Sequence, residues 1–132
     1  TAGGKNVAPA PMEDPLRADP LIGQAVIVGD NKPFVACLIS LDGEMLPIWL
    51  ESHGLNRDMT ISEAATHPTI IAEVQSAVDR VNKTVSKAEA IKKFVILDTE
   101  LTQESGHITP SLKVKRKAVA EDFAAQITEI YA

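Results

Sequence analysis

The chain has 132 residues, 45% of them hydrophobic and 23% charged, which fits one soluble globular domain with a core that needs no disulfide staples. Its net charge of -5 argues against general nucleic-acid binding, so any anion site has to be local. One cysteine, Cys37, excludes an intramolecular disulfide, and no apolar run approaches the length of a membrane span.

The opening, "TAGGKNVAPAPMEDP", lacks an initiator Met and reads as the interior of a longer protein. Gly3-Gly4 permits backbone conformations closed to other residues, and Pro9, Pro11, Pro15 and Pro20 interrupt any long element. A short helix over about Met12 to Ala18 can still start at Pro11. Ala25 to Val28 and Phe34 to Leu41 are apolar, β-rich runs separated by Gly29-Asp30-Asn31-Lys32-Pro33, the pattern of an antiparallel hairpin. Both faces of the second run are apolar, which predicts cover on both sides and makes Cys37 an inert core residue.

Three helical segments follow. Glu44 to Ser52 carries Met45, Ile48 and Trp49 and ends before Gly54, a helix-stop residue. Thr60 and Glu63 have capping-box spacing ahead of a short helix ending near His67-Pro68. From Pro68, the residues Ile70, Ile71, Val74, Ala77, Val78 and Val81 form one apolar stripe that needs a sheet beneath it. Lys92 to Asp98 reads as a third strand, and Leu101 to Pro110 as a polar loop turning at Ser105-Gly106. A last helix is predicted from about Leu112 to Tyr131, with Val119, Phe123, Ile127 and Ile130 on one side. The fold class is α+β: a small mixed sheet with a β-hairpin and helices packed against it.

Little of the chain offers chemistry. His53, His67 and His107 are widely separated loop or surface histidines, and no metal-ligand spacing appears, so no metal is expected. Gly3-Gly4-Lys5 lacks the second half of a phosphate-binding P-loop. The adjacent carboxylates Glu13-Asp14 and Glu121-Asp122 read as solvated. "ITPSLKVKRKAV" stands out, with Lys113, Lys115, Arg116 and Lys117 in five positions of an acidic chain. On a helix, Lys113 shares a face with Arg116 and Lys117, and a Thr-Pro-Ser turn would hold it at the helix start beside free backbone N–H groups. Either this is a solvated helix face or something anionic meets it.

Two stretches carry a resemblance. "GGKNVAP", continued to Glu13, resembles the glycine-rich motif Gly-x-x-Ile-x-Pro-x-Glu-Ile-Glu of adenylate-forming enzymes; Gly4, Val7, Pro9 and Glu13 match, while Pro11 and Met12 replace a Glu and the Ile. "TPSLKVKRKAV" resembles their catalytic-lysine motif, Pro-x-x-x-x-Gly-Lys-x-x-Arg, in the form associated with long-chain fatty acyl-CoA synthetases; Leu112 stands where Gly is usual. "QAVIVGDNKPFVACLISLD" looks like the hairpin of that subfamily. Across nearly its whole length the chain is similar to the mobile C-terminal domain of a bacterial long-chain fatty-acid–CoA ligase.

The resemblance implies a lid, residues 1–132, that rotates between two orientations over a large N-terminal domain holding ATP, Mg2+ and the acyl chain. Lys113 would be the catalytic lysine of acyl-adenylate formation. Gly3, Gly4 and Lys5 would line the passage of CoA, and Arg116 would assist in binding. The implied partners are the parent's own N-terminal domain, long-chain fatty acid, ATP and CoA. The parent would be cytoplasmic, with room for peripheral membrane association, and the isolated domain inactive. Two other readings stay open: a stand-alone module for an anionic partner, and the lid of another acyl- or aryl-CoA ligase.

Overall fold

The computed structural model describes residues 10–132, so the glycine loop Gly3-Gly4-Lys5 lies outside the described residues. The elements run α1 (Ala10–Arg17), β1 (Ile22–Val28), β2 (Val35–Leu41), α2 (Met45–Ser52), α3 (Ile61–Ala65), α4 (Pro68–Asn82), β3 (Ile91–Ile96), α5 (Arg116–Asp122) and α6 (Ala124–Ile130). The sheet order is β1-β2-β3. β1 pairs antiparallel with β2, with Ala25 opposite Ile39, because a tight turn joins them. β3 returns parallel to β2, with Val95 opposite Leu38, after a crossover made of α2, α3 and α4.

All seven residues of β2 are buried, as a strand with two apolar faces requires. Val35, Cys37, Ile39 and Leu41 face a core built with α1 and α2 to α4. Ala36 and Leu38, from the alternate positions, face a second core with Leu97, Leu101, Ile108, Val119, Phe123 and Ile130. The sheet is thus the middle of three layers. Ser40, also fully buried, is satisfied because its Oγ accepts the Leu101 N–H at 2.9 Å.

The caps read from the sequence form as expected. Thr60 Oγ1 accepts the Glu63 N–H while the Glu63 carboxylate accepts the Thr60 N–H, holding that carboxyl below its ordinary range. Gly54, at φ +72°, closes α2: its own N–H reaches Glu51 O and the Leu55 N–H reaches Leu50 O.

Several expectations are corrected. Ile48 is 59% exposed and Ile71 39%, because Leu46, Trp49 and Leu50, and Ile70 with Val74, take the inward positions of their helices. No helix starts at Leu112. Ile108 and Val114 pair instead as an isolated antiparallel bridge, so residues 107–115 form a small hairpin and helix begins at Arg116. Its apolar residues there, Ile108 and Val114, bury against the second core as a strand pair does. The final helix is kinked at Phe123, yet the Phe123 N–H still reaches Val119 O and the Ile127 N–H still reaches Phe123 O. The apolar side of Val119, Phe123, Ile127 and Ile130 survives that kink.

Candidate functional site

The lysine hairpin is held at three rungs. Lys115 N–H donates to His107 O at 2.7 Å, Thr109 N–H donates to Lys113 O at 2.8 Å, and Leu112 N–H closes the Thr109-Pro110-Ser111 turn on Thr109 O at 2.8 Å. Leu112 follows that turn with φ +66°, the left-handed conformation that a bulged hairpin needs after its turn. Glycine adopts it freely and leucine does not, which gives the physical meaning of the Gly in the motif. The Leu112 side chain points into solvent, 69% exposed.

Lys113 comes directly after this bulge and is exposed. Its own N–H donates to Thr109 Oγ1 at 3.0 Å, and the Lys115 N–H is taken by His107, so these backbone donors are not free to cradle an anion. The expectation of Lys113 at a helix start is therefore corrected: it stands on the hairpin, off the face of α5 that carries Arg116 and Lys117. What it offers is its ammonium, which among the described residues has no hydrogen bond or ion pair.

Lys113 lines a cleft of about 430 Å³ together with Glu13, Asp14, Arg17, Gln24, Leu112, Val114 and Arg116. Both arginines there are paired. Arg17 meets Asp14 one turn earlier in α1. Arg116 grips Glu13 with two nitrogens, Nη1 lying 2.8 Å from Oε2. Glu13 is buried rather than solvated, and its Oε2 also accepts the Ile27 N–H of β1 at 2.7 Å. The hydrogen bond to Glu13 raises the Arg116 guanidinium further above its already high range, against an opposing contribution from burial. Among the described residues, one unpaired cation beside two neutralised ones makes Lys113 the residue of this cleft with charge to spare. Lys115 and Lys117 line a different depression, with Arg116, Ala118 and Glu121.

One further expectation fails at this end of the domain. His107 is buried, not a surface histidine: Nε2 lies 2.6 Å from Asp122 Oδ2, and Nδ1 lies 2.7 Å from Ser105 Oγ. Asp122 is exposed, as its sequence context suggests, and is also the partner of His107. No spacing rule links residues 105, 107 and 122, because the hairpin and the α5 turn bring them together only in three dimensions. Among the described residues, no cluster of His, Cys, Asp or Glu is placed to hold a metal ion. No helix among them is long and apolar enough to cross a membrane.

Known proteins share both this fold and this sequence. Long-chain-fatty-acid–CoA ligase FadD15 of Mycobacterium tuberculosis is 51% identical over 131 residues, covering 99% of this chain and 22% of the relative. Putative fatty-acid–CoA ligase fadD11 of the same species is 33% identical over 132 residues, again 99% of this chain and 23% of the relative. The chain thus spans less than a quarter of the length of these curated relatives. Among solved structures, the A domain of a carboxylic acid reductase from Segniliparus rugosus, in complex with AMP and a co-purified carboxylic acid, superposes with a TM-score of 0.70. It is 16% identical, with 95% of this chain and 18% of that one covered, a likeness of fold. The family described as AMP-binding enzyme C-terminal domain matches residues 1–132, and the chain belongs to that family.

Proposed function

We propose that residues 1–132 are the mobile C-terminal lid of an AMP-forming long-chain fatty-acid–CoA ligase, working over a large N-terminal domain that holds ATP, Mg2+ and the acyl chain. In the first half-reaction a fatty-acid carboxylate oxygen attacks the α-phosphorus of ATP and pyrophosphate leaves. In the second, the CoA thiol attacks the acyl carbonyl and AMP leaves. The observation that carries this reading is the Lys113 ammonium, unpaired among the described residues, on a hydrogen-bonded hairpin beside arginines already neutralised by Asp14 and Glu13.

Attack brings two anionic groups together, and a preorganised ammonium between them stabilises the charge that develops. Lysine suits this role as a compact point charge on a long stem. Closure of the lid brings Lys113 to the nucleotide, so the anion it needs belongs to the other domain. Arg116, the residue implied to assist in binding, lines the same cleft with its charge offset by Glu13. In the second orientation Gly3, Gly4 and Lys5 line the pantetheine passage of CoA, where glycine lets backbone approach a ligand. The parent works in the cytoplasm, with peripheral membrane contact to collect its apolar substrate. The FadD15 relative, named for long-chain fatty acids and CoA, supports this choice of substrate.

The test is an assay of the full-length parent with ATP, Mg2+, CoA and either a long-chain fatty acid, a medium-chain acid or benzoate. Preferred turnover of the long-chain acid, and none by the 132-residue chain alone, is expected. Preference for benzoate would move the parent to another ligase class. Robust turnover by the isolated chain would overturn its assignment as a lid.

A further inference from the structure

Nothing in the proposed chemistry uses His107, yet it is the most connected side chain of the lysine hairpin. Its imidazole joins Asp122 at the end of α5 to Ser105 in the preceding turn, at 2.6 and 2.7 Å. Its ring also packs on Phe123, centroids 5.4 Å apart. Its backbone carries the base of the hairpin: the amide donates to Thr102 O at 3.1 Å, and the carbonyl accepts from Lys115. His107 faces Lys115 across the hairpin, two rungs from the Thr109–Lys113 pair. The ring is almost wholly buried and does not line the Lys113 cleft, so it acts through other residues.

We propose that His107, tied to Asp122 and Ser105, is a positioning residue that fixes the Lys113 hairpin against α5. The proposal rests on the reading of Lys113 as the adenylation lysine. Lys113 itself is exposed, and its ammonium makes no contact within the described residues that would aim it. Its reach is therefore set by the backbone of a short hairpin with an unfavourable left-handed residue at its bulge. A hairpin this short is not stable unaided, so its geometry depends on what anchors its base. Ile108 and Val114 anchor it through apolar burial, which is non-directional. His107 supplies the directional part, because two hydrogen bonds to opposite ring nitrogens fix both the tilt and the rotation of the ring. Displacement of a catalytic group by about 1 Å can lower a rate by up to about 10²-fold.

The test is a double-mutant cycle in the full-length ligase with His107→Ala, Lys113→Ala and the double variant. Adenylate formation and thioester formation from supplied acyl-AMP are measured separately. His107→Ala should slow adenylation about 10-fold and leave thioester formation nearly intact. In the Lys113→Ala background, the same change should have almost no further effect on adenylation, because the lysine it positions is gone. His107→Gln, which keeps an N–H donor for Asp122, should recover part of the rate. Should His107→Ala fail to fold, Asp122→Ala takes its place in the cycle, since Asp122 is mostly exposed and its removal spares the core. Equal losses in both half-reactions, or an effect of His107 that persists undiminished without Lys113, would overturn the positioning role while leaving the catalytic lysine standing. Normal adenylation by Lys113→Ala alone would overturn the lysine's role and this proposal together.

Discussion

Glu13 and Arg116 lie 103 residues apart and are clamped together: the buried carboxylate takes two guanidinium nitrogens and, from the other side, the Ile27 N–H of β1. The two motifs that carry the family resemblance therefore meet at one ion pair. Glu13 ends the glycine-rich motif and Arg116 ends the lysine motif, so the clamp fixes α1, β1 and the start of α5 relative to one another. With Asp14 paired to Arg17 as well, Lys113 has no carboxylate partner among the described residues.

Arg116→Ala should destabilise the domain by about 2–3 kcal/mol, because it strands a buried carboxylate with a single N–H partner. The value sits below that of a fully buried pair because the guanidinium is nearly half exposed. Arg116→Lys keeps the charge but only one point of contact, and should recover less than half of the loss. Urea denaturation of the three proteins measures this order; equal stability of wild type and Arg116→Ala would dissolve the clamp.

Leu112→Gly should stabilise the chain by about 0.5–1 kcal/mol, since relief of the left-handed conformation outweighs the extra entropy of an unfolded glycine. Leu112→Val should act in the opposite direction, because branching at Cβ worsens that conformation. The side chain is exposed, so little packing is lost in either case. Thermal melts of both variants give the two signs.

Glu73 carries a proton more readily than an ordinary glutamate, first because it hydrogen-bonds to the buried Asp19 and then through burial and the Asp19 charge. A carboxyl raised on folding contributes stability that is complete below its unfolded value of about 4.3, and is lost as pH climbs through the folded value. Glu73→Gln, a permanent neutral donor to Asp19, should remove this dependence and raise stability near neutral pH. Melting temperature against pH for the two proteins checks it; identical curves would mean that the two carboxyls do not share a proton.

Cys37 is fully buried in the central strand, and burial pushes its thiol far up. It should therefore be inert to a disulfide reagent in the native protein and react only as the domain opens. Labelling that rises in step with denaturant-induced unfolding is the expected result. Rapid modification without denaturant would contradict the packing of β2.

The hairpin, the doubly covered β2, the capping box and the α4 stripe were legible because each follows from a local period or a residue pair a few positions apart. Val35 to Leu41 announces burial on both faces by composition alone. The lysine segment reads as helix because its basic residues fit helical spacing, whereas Ile108 and Val114 pair across a turn. The burial of Glu13 and His107 is hidden from the sequence for a related reason. A buried charged or polar group is recognised only by its partners, and here these lie 103 and 15 residues away. The motif singles out Lys113; that its ammonium has no ion pair among the described residues is visible only once Glu13 and Arg116 are seen together.

The decisive measurement is the pair of proposed half-reactions in the full-length parent carrying Lys113→Ala. Pyrophosphate release in a single turnover reports adenylation, and thioester formation from supplied acyl-AMP reports transfer to CoA. Loss of one preorganised charge at the reacting centre should slow adenylation by about 10²- to 10³-fold and leave transfer nearly unchanged. Lys115→Ala and Lys117→Ala, which face a different depression, should slow adenylation far less. Equal impairment of both half-reactions by Lys113→Ala, or a larger adenylation defect from Lys115 or Lys117, would contradict the role assigned to the unpaired ammonium.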